Sequence, residues 1–345
     1  MSSRVRRHRR LLALIVAAIV AAGIATGLAF ARSSSSSPRS ASTGVVVIET
    51  ALDLQQASAA GTGMVLTPSG EVLTNNHVIR GATKIRVVVP STGRSYSATV
   101  AGYSLASDTA VLRLRNASGL ATVKLGDSAG LKIGAAVRAV GNAGGTGRLT
   151  TVRGRVTGLN RALTVSDDQG GSEHLTSLVA TNAALRPGDS GGPLVDASGA
   201  VVGMDTAASL SGGFAFAAQT NGGFAIPIDR ALTVARQIEA RRQSATVHIG
   251  GTAFLGISAT PANGYFAVPG VAVAGVFNGS PADRAGIAAG DEIVAVGGKS
   301  IATQNALISA LLLRHPGDRI VVTWLDGFSG QQQTATVTLA SGPPQ

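Results

Sequence analysis

The chain has 345 residues, of which 45% are hydrophobic, 3% are aromatic and 45 are glycine. This apolar content excludes a wholly disordered chain, and the lack of cysteine excludes disulfides, thiolate metal sites and cysteine nucleophiles. The net charge is +11, but the first 40 residues hold seven arginines and no acidic residue, so the excess is mostly N-terminal and does not favour a nucleic-acid partner.

The N-terminus joins a basic flank, residues 1–10, to an uncharged stretch of 21 residues, 11–31. As a helix at about 1.5 Å per residue, this stretch would cross a hydrocarbon core of about 30 Å. Arginines before such a span keep that end in the cytoplasm, so we expect the rest of the chain outside it. The length favours a single-pass anchor in membrane lipid, although Ala29-Phe30-Ala31 also fits a cleavage site and leaves a secreted form as the alternative.

A serine-rich tether, residues 32–43, leads into a region predicted to be all-β, residues 44–243. Short apolar runs separated by Gly, Asn, Asp and Ser predict strands of a sandwich or barrel. The predicted strands are 45–48, 63–66, 72–74, 85–89, 98–101, 110–114, 135–140, 149–156, 178–181, 193–195, 201–205 and 224–226. The spacing of apolar residues predicts one helix over 229–242, and 244–251 is interpreted as a linker.

A second unit spans residues 252–340. Its predicted strands are 254–258, 271–276, 292–296 and 320–325, with a short turn or helix at 280–286. Apolar residues at helical spacing predict a helix over 303–313, which His315-Pro316-Gly317-Asp318 ends. The pattern predicts a small α+β or partly open barrel module.

The strongest chemical motif is Gly188-Asp189-Ser190-Gly191-Gly192-Pro193-Leu194. A serine hydroxyl is a weak nucleophile that needs a nearby base, and the oxyanion formed by its attack needs fixed N–H donors. Glycines on both sides allow a tight turn and close approach of a substrate. The alternative is a glycine-rich β-turn with a solvent-facing serine.

The best candidate for the base is His77, which follows an apolar strand. The other histidines, His8, His174, His248 and His315, lie in the basic flank or among polar and turn residues without strand context. Asp108 directly precedes an apolar strand that would hold its carboxylate rigidly, whereas Asp127, Asp167 and Asp168 lie in polar stretches. The order His77, Asp108, Ser190 is that of chymotrypsin-type enzymes. A structural histidine at position 77 is the alternative.

Several motifs together resemble bacterial HtrA/DegP-type serine proteases, DegS-like in their anchoring, with a trypsin-like domain and one PDZ domain. The matching stretches, in the family's order, are GTGMV at 61–65, TNNHVI at 74–79, DTAVL at 108–112, VGN at 140–142, TNAA at 181–184, PGDSGGPL at 187–194, GMDTA at 203–207 and GFAIPI at 223–228. The resemblance implies a mostly β fold, a chymotrypsin-like double β-barrel followed by a small α+β PDZ domain. It implies His77 as general base, Asp108 as its orienting acid and Ser190 as nucleophile. The backbone of Gly188, Asp189 and Ser190 would form the oxyanion hole.

Two departures from the family pattern bear on the site. The family commonly has asparagine before the nucleophile, where this chain has Asp189. In secreted trypsins that aspartate pairs with a new N-terminal amine; here we expect either another donor or an oxyanion loop that is disordered at rest. Ala184 stands six residues before the nucleophile in place of aspartate, so we expect an apolar pocket for a small or medium aliphatic side chain. The pocket residues we predict are Ala184, Ala207, Ala208, Gly223, Phe224 and Ala225.

The start of the second unit resembles the carboxylate-binding loop of PDZ domains, and SPADRAGI…GDEIV at 280–294 is the more specific signature. The resemblance implies that peptide C-termini bind as an added strand beside Phe254, Leu255, Gly256 and Ile257, with Leu307 and Leu311 forming the wall of the groove. The alternative for the loop is a plain edge strand.

The combined motifs predict a membrane-tethered, extracytoplasmic serine endopeptidase that cleaves unfolded or misassembled proteins and is modulated by peptide C-termini. No cofactor or metal is expected, and the family resemblance suggests a homotrimer. A catalytically idle PDZ scaffold or chaperone that binds exposed protein tails is the alternative.

Overall fold

The computed structural model describes residues 40–166, 172–206, 222–261 and 269–345. Within these ranges, no helix combines the length and the apolar character needed to span a bilayer. The predicted anchor, residues 11–31, lies outside the described residues, as do the basic flank and most of the tether.

Six strands within residues 45–114, joined by one short later strand, form a seven-stranded antiparallel sheet. Its strands are β1 (Val45–Leu52), β2 (Ala57–Val65), β3 (Glu71–Thr74), β4 (Lys84–Val89), β5 (Arg94–Ser104), β6 (Thr109–Leu114) and β13 (His248–Ile249). They follow the order β13–β5–β4–β1–β2–β3–β6, and β5 also pairs with β6, so that six of the strands form a ring. A short helix, α1 (Asn76–Ile79), follows β3 directly.

Residues 136–227 contribute the strands of a closed barrel in the order β10–β11–β12–β9–β8–β7. Its strands are β7 (Ala136–Gly141), β8 (Thr150–Ser166), β9 (Ser172–Thr181), β10 (Pro193–Val195), β11 (Val201–Thr206) and β12 (Gly223–Pro227). The mostly β fold is therefore confirmed. Strands β8 and β9 are longer than predicted, since their outer halves carry polar residues that hide the apolar pattern.

Strand β1 shows how the two barrels pack together. Val46 and Ile48 point into the core of the first ring, whereas Val45 joins a separate core with Met204 and Ile226 from the second barrel. Successive side chains of a strand alternate between its faces, so one strand contributes to both cores. The second of these cores fills the seam between the barrels.

Helix α2 (Ile228–Glu239) covers this seam and confirms the predicted helix, with an end three residues earlier. Its buried residues recur at helical spacing and form one apolar stripe. The stretch interpreted as a linker contains β13, which pairs with β5.

The C-terminal unit has a two-stranded and a six-stranded sheet. Its elements are β14 (Thr252–Phe254), β15 (Ile257–Pro261), β16 (Val271–Val276), α3 (Pro281–Arg284), β17 (Glu292–Val296), β18 (Lys299–Ser300), α4 (Gln304–Leu312), β19 (Arg319–Leu325), β20 (Gln332–Thr338) and β21 (Ala340–Gly342). Strand β14 pairs with β21, and the larger sheet runs β15–β16–β17–β19–β20, with β18 beside β17.

The predicted strand 254–258 is divided in two at Leu255-Gly256, so this prediction is wrong in detail. Gly256 has a φ of +91°, and its carbonyl accepts from the Phe277 amide at 3.0 Å. A β-carbon at position 256 would lie 2.1 Å from the Ser280 β-carbon, so this turn requires glycine.

Candidate active site

The candidate site contains a histidine that forms two hydrogen bonds with a buried carboxylate. His77 Nδ1 lies 2.8 Å from Asp108 Oδ2, and the His77 amide donates to Asp108 Oδ1 at 3.0 Å. The Asp108 side chain is 1% exposed and that of His77 is 29% exposed. A carboxylate on Nδ1 selects the tautomer in which Nε2 carries the lone pair, the form that can accept a proton from an alcohol.

Two further contacts hold Asp108 in the turn between β5 and β6. Asp108 has a φ of +44°, an uncommon backbone conformation for a residue with a side chain. The Asn75 side chain donates to its carbonyl at 3.0 Å, and Thr206 Oγ1 donates to Oδ2 at 3.3 Å. The Thr206 contact was not predicted, because Thr206 comes from β11 of the other barrel, almost 100 positions along the chain.

The loop that carries Ser190 is tied to β2 of the first barrel. The Thr62 amide donates to the Ser190 carbonyl at 2.9 Å, and Thr62 Oγ1 donates to the Gly188 carbonyl at 2.7 Å. A β-carbon at Gly188, whose φ is +96°, would lie 2.2 Å from the Asn142 carbonyl oxygen. The loop therefore needs glycine here for both conformation and space.

Gly191 links this loop to the strand that leads to His77. A β-carbon at Gly191 would lie 2.2 Å from both the Thr62 carbonyl oxygen and Thr74 Oγ1. Thr74 is the last residue of β3, three positions before His77. The structure thus brings the loop of Ser190 to the strand end from which the helix of His77 begins.

Of the three predicted oxyanion donors, one is engaged elsewhere. The Asp189 amide donates to the Arg186 carbonyl at 3.0 Å, within the turn that precedes Ser190. Including Asp189 among the oxyanion donors is therefore not consistent with this arrangement, and the amides of Gly188 and Ser190 stay as the predicted pair.

The predicted substrate pocket is only partly within the described residues, because Ala207 and Ala208 lie outside them. Ala184 is exposed, and Phe224 is half-buried. Ala225 has no exposed surface and packs in the barrel core, so it offers a substrate no contact here. A β-carbon at Gly223 would meet the Leu185 side chain at 2.3 Å. Leu185, which sequence reasoning missed, is therefore the large apolar side chain beside this strand.

The predicted peptide groove of the C-terminal unit coincides with a cavity of about 270 Å³. All six predicted groove residues line it, namely Phe254, Leu255, Gly256, Ile257, Leu307 and Leu311. Leu54, Gln55, Arg80 and Gly81 of the first barrel contribute to the same cavity. The groove therefore opens toward the segment that follows His77.

Comparisons with known proteins agree with this architecture. The trypsin-like peptidase domain family matches residues 61–204, and the PDZ domain family matches 253–339. Serine protease PepD of Mycobacterium tuberculosis is 33% identical over 307 residues, which cover 86% of this chain and 63% of that protein. "Probable periplasmic serine endoprotease DegP-like" of Chlamydia pneumoniae is 35% identical over 271 residues, 76% of this chain and 51% of that protein. This chain is of the HtrA/DegP type, with a trypsin-like peptidase domain followed by a PDZ domain.

A solved structure supports the same assignment. The HtrA-type protease AlgW with tripeptide superimposes with a TM-score of 0.50 at 29% identity, over 88% of this chain and 95% of that one. The chain spans between half and two thirds of the length of the two curated relatives named above.

In this HtrA-type protein, Asp189 finds a backbone donor. Its Oδ2 accepts from the Arg186 amide at 2.9 Å, while Oδ1 has no partner among the described residues. Burial raises the pKa of Asp189, and the Arg186 amide and side-chain charge oppose that shift. Of the two outcomes expected for Asp189, the structure has the first: its carboxylate accepts a hydrogen bond from another donor, the Arg186 amide.

A second buried acid in the HtrA-type site, Asp205 on β11, was missed by sequence reasoning. It is 0% exposed, and neither of its carboxyl oxygens has a partner among the described residues. Burial, reinforced by repulsion from Asp189, raises the pKa of Asp205 well above its ordinary value. The only sequence signal was an acidic residue inside an otherwise apolar strand.

His248 joins the protease and PDZ domains. The prediction that it lacks strand context is wrong, since it lies in β13, buried between the rings of Tyr103 at 5.1 Å and His315 at 5.5 Å. Its Nδ1 lies 2.8 Å from the Leu312 carbonyl oxygen and its Nε2 lies 3.0 Å from that of Gly251. The joint between the domains is therefore packed and hydrogen-bonded.

Residues that follow the PDZ domain contact the helix that bears His77 and the segment just after it. The Gly81 amide donates to the Pro344 carbonyl at 2.8 Å, and the Asn76 side chain donates to the Gln345 carbonyl at 3.0 Å. Asn76 is the neighbour of His77 in α1. Within the described ranges, no group of side chains is arranged to hold a metal ion.

Proposed function

We propose that this protein is an extracytoplasmic serine endopeptidase in which Ser190 is the nucleophile, His77 the general base and Asp108 the acid that orients it. The observation that supports this most strongly is that the buried Asp108 carboxylate forms hydrogen bonds with both the ring and the amide of His77. The alternative, a histidine with a purely structural role, does not explain why a buried carboxylate holds its ring near a glycine-lined loop that carries a serine.

In the proposed reaction, His77 Nε2 takes the proton of Ser190 as the hydroxyl oxygen attacks the scissile carbonyl carbon. The amides of Gly188 and Ser190 stabilise the resulting oxyanion. The imidazolium then gives its proton to the leaving amine, and a water molecule repeats the sequence to release the acyl group. Asp108 stays ionised throughout and stabilises the imidazolium.

The proposed substrates are unfolded or misassembled proteins with a small or medium aliphatic residue before the scissile bond. Ala184 offers no charge for a basic side chain, and Leu185 packs beside Gly223 at the strand predicted to border the pocket. Peptide C-termini would bind the PDZ groove, whose cavity also contacts the first barrel. This coupling is allosteric only if the peptide binds one arrangement of the protease more tightly than the other.

We further propose that residues 11–31 anchor the protein in the membrane with both domains outside the cytoplasm. This rests on the basic flank and the uncharged stretch of the sequence. A homotrimer is proposed from the family resemblance alone.

The decisive experiment compares Ser190→Ala with Ser91→Ala in the full chain, using a fluorescent casein as substrate. Ser91 is an exposed serine of the β4–β5 turn and serves as the matched control. We expect Ser190→Ala to lose more than about 1,000-fold in activity and Ser91→Ala to retain it. Unchanged cleavage by Ser190→Ala would remove Ser190 from the mechanism.

The alternative function, an idle scaffold that binds protein tails, is favoured by one observation: none of the residues that line the PDZ groove belongs to the loop of Ser190. A serine-directed phosphonate separates the two functions. Labelling of the wild type at Ser190 supports the protease, whereas binding of tail peptides without any labelling supports the scaffold.

A further inference from the structure

Two carboxyl groups lie buried behind the loop that carries Ser190. Asp189 precedes Ser190 and is 3% exposed, and Asp205 on β11 is fully buried. Together they hold three carboxyl oxygens without a hydrogen-bond partner among the described residues. Buried polar groups are nearly always paired, so a cluster of orphaned carboxyl oxygens this close to a nucleophile needs a physical explanation.

Backbone hydrogen bonds tie both acids to the loop. The Asp205 amide donates to the Gly192 carbonyl at 2.8 Å, and the Asp205 carbonyl accepts from the Gly191 amide at 2.9 Å. The Asp189 carbonyl accepts from the Gly192 amide at 2.9 Å. The two residues after Ser190 are therefore held between the two acids, and a displacement of either acid moves the nucleophile.

The surroundings offer the pair little positive charge. A β-carbon at Gly141, the last residue of β7, would lie 2.5 Å from Asp189 Oδ1, so this side of the pair is closed by backbone. The neighbouring Asn142 and the Thr62 of β2 are uncharged. Arg186, on the loop itself, is exposed and is the cation that acts on Asp189. On the far side of Thr206 lies Asp108, a further carboxylate, bound to His77.

Two ionised carboxylates in such surroundings would each lose their hydration and repel each other. Where two acids share a site, one of them keeps its proton to a higher pH than a free carboxyl would. The upward shifts in the pKa of both residues, caused first by burial, agree with this argument.

We propose that Asp205 is a positioning residue: a single proton carried by the Asp205 and Asp189 pair prevents repulsion between two negative charges and keeps the nucleophile loop in the arrangement described here. When that proton passes to solvent, the two carboxylates repel each other and the loop withdraws Ser190 and the adjacent oxyanion donors from His77. This inference rests on the proposed function of Ser190. It adds that the enzyme has its own upper pH limit, set by the pair and not by His77.

The test is the pH dependence of Ser190 labelling by a serine-directed phosphonate, measured on the full chain between about pH 5 and about pH 10. The variants are Asp205→Asn and Asp189→Asn, which keep the shape of the side chain and remove its charge. Glu49→Gln is the control, because Glu49 is a partly exposed carboxylate that pairs with Arg86 on the first sheet. Circular dichroism at each pH verifies that the variants are folded.

We expect the wild type and Glu49→Gln to lose labelling at high pH, by about tenfold per pH unit beyond the ionisation of the pair. Asp205→Asn and Asp189→Asn should label at neutral pH and keep labelling at high pH. The low-pH limit, which protonation of the base imposes on any such enzyme, should be common to all four proteins. If Asp205→Asn does not fold, Asp189→Asn tests the same prediction.

The possible failures are distinguishable. A wild type that is not labelled at any pH would overturn the proposed function itself. A wild type that is labelled normally, with the same high-pH behaviour as both asparagine variants, would overturn only the role of the pair. Loss of labelling at every pH in both folded asparagine variants would also overturn it, because the proposal requires the neutral side chain to be sufficient.

Discussion

Asp108 and Asp205 are both almost completely buried, but the surroundings of their carboxyl groups differ. The Asp108 carboxylate accepts hydrogen bonds from the His77 amide, the His77 ring and Thr206, whereas the Asp205 carboxyl group accepts none from the described residues. Donors replace the hydration that a carboxyl group loses on burial, and Asp205 lacks such donors, so burial raises its pKa. Two acids of the same burial in this site therefore differ in their hydrogen-bond partners.

The largest effect should come from removing the charge of the acid that has partners. In Asp108→Asn the amide can donate to His77 Nδ1 and so favours the tautomer whose Nε2 carries a proton and cannot act as a base. We expect casein cleavage to fall by about 1,000- to 10,000-fold with little change in folding. Activity within a factor of ten of the wild type would show that Asp108 does not orient His77.

A smaller effect should follow from removing one of the donors to Asp108. Thr206→Val keeps the shape of the side chain but deletes the hydrogen bond to Asp108 Oδ2. A single hydrogen bond to a charged group contributes about 1.5–3 kcal/mol, so we expect a loss of about 10- to 100-fold in kcat/KM, mainly in kcat. Thr83→Val, at an exposed threonine that contacts Asp53, is the control and should not change kcat/KM.

The smallest effect should appear in stability, as a function of pH. Because the pKa of Asp205 is raised in the folded protein, its neutral form favours folding. That contribution is fully present below the unfolded-state pKa and is lost as the pH rises through the folded-state pKa. Denaturant titrations should therefore show the free energy of unfolding of the wild type falling with pH more steeply than that of Asp205→Asn. Equal slopes for the two proteins would mean that Asp205 does not hold a proton in the folded state.

The site residues that could be predicted from sequence were those whose adjacent residues form a recognisable pattern. His77 follows one apolar strand, Asp108 precedes another, and Ser190 lies among glycines. Asp205 and Thr206 could not be assigned in the same way, because the groups that surround them in the structure come from other segments of the chain. Asp189 and Asp205 are 16 positions apart, and Asp108 and Thr206 belong to different barrels.

His248 shows the same limit outside the active site. Its local sequence is that of a linker, yet it is buried between Tyr103 of the protease and His315 of the PDZ domain. The pairing with β5 that makes it a strand depends on the position of β5, not on the propensity of its own residues.

The sequence by itself determined the mostly β architecture, the order of its two domains and the types of side chain available for nucleophilic chemistry, because strand periodicity and glycine-rich turns are local properties. Only the tertiary structure decided which acid is satisfied and which is orphaned. That distinction depends on donors that packing of the two barrels brings to Asp108 and does not bring to Asp205.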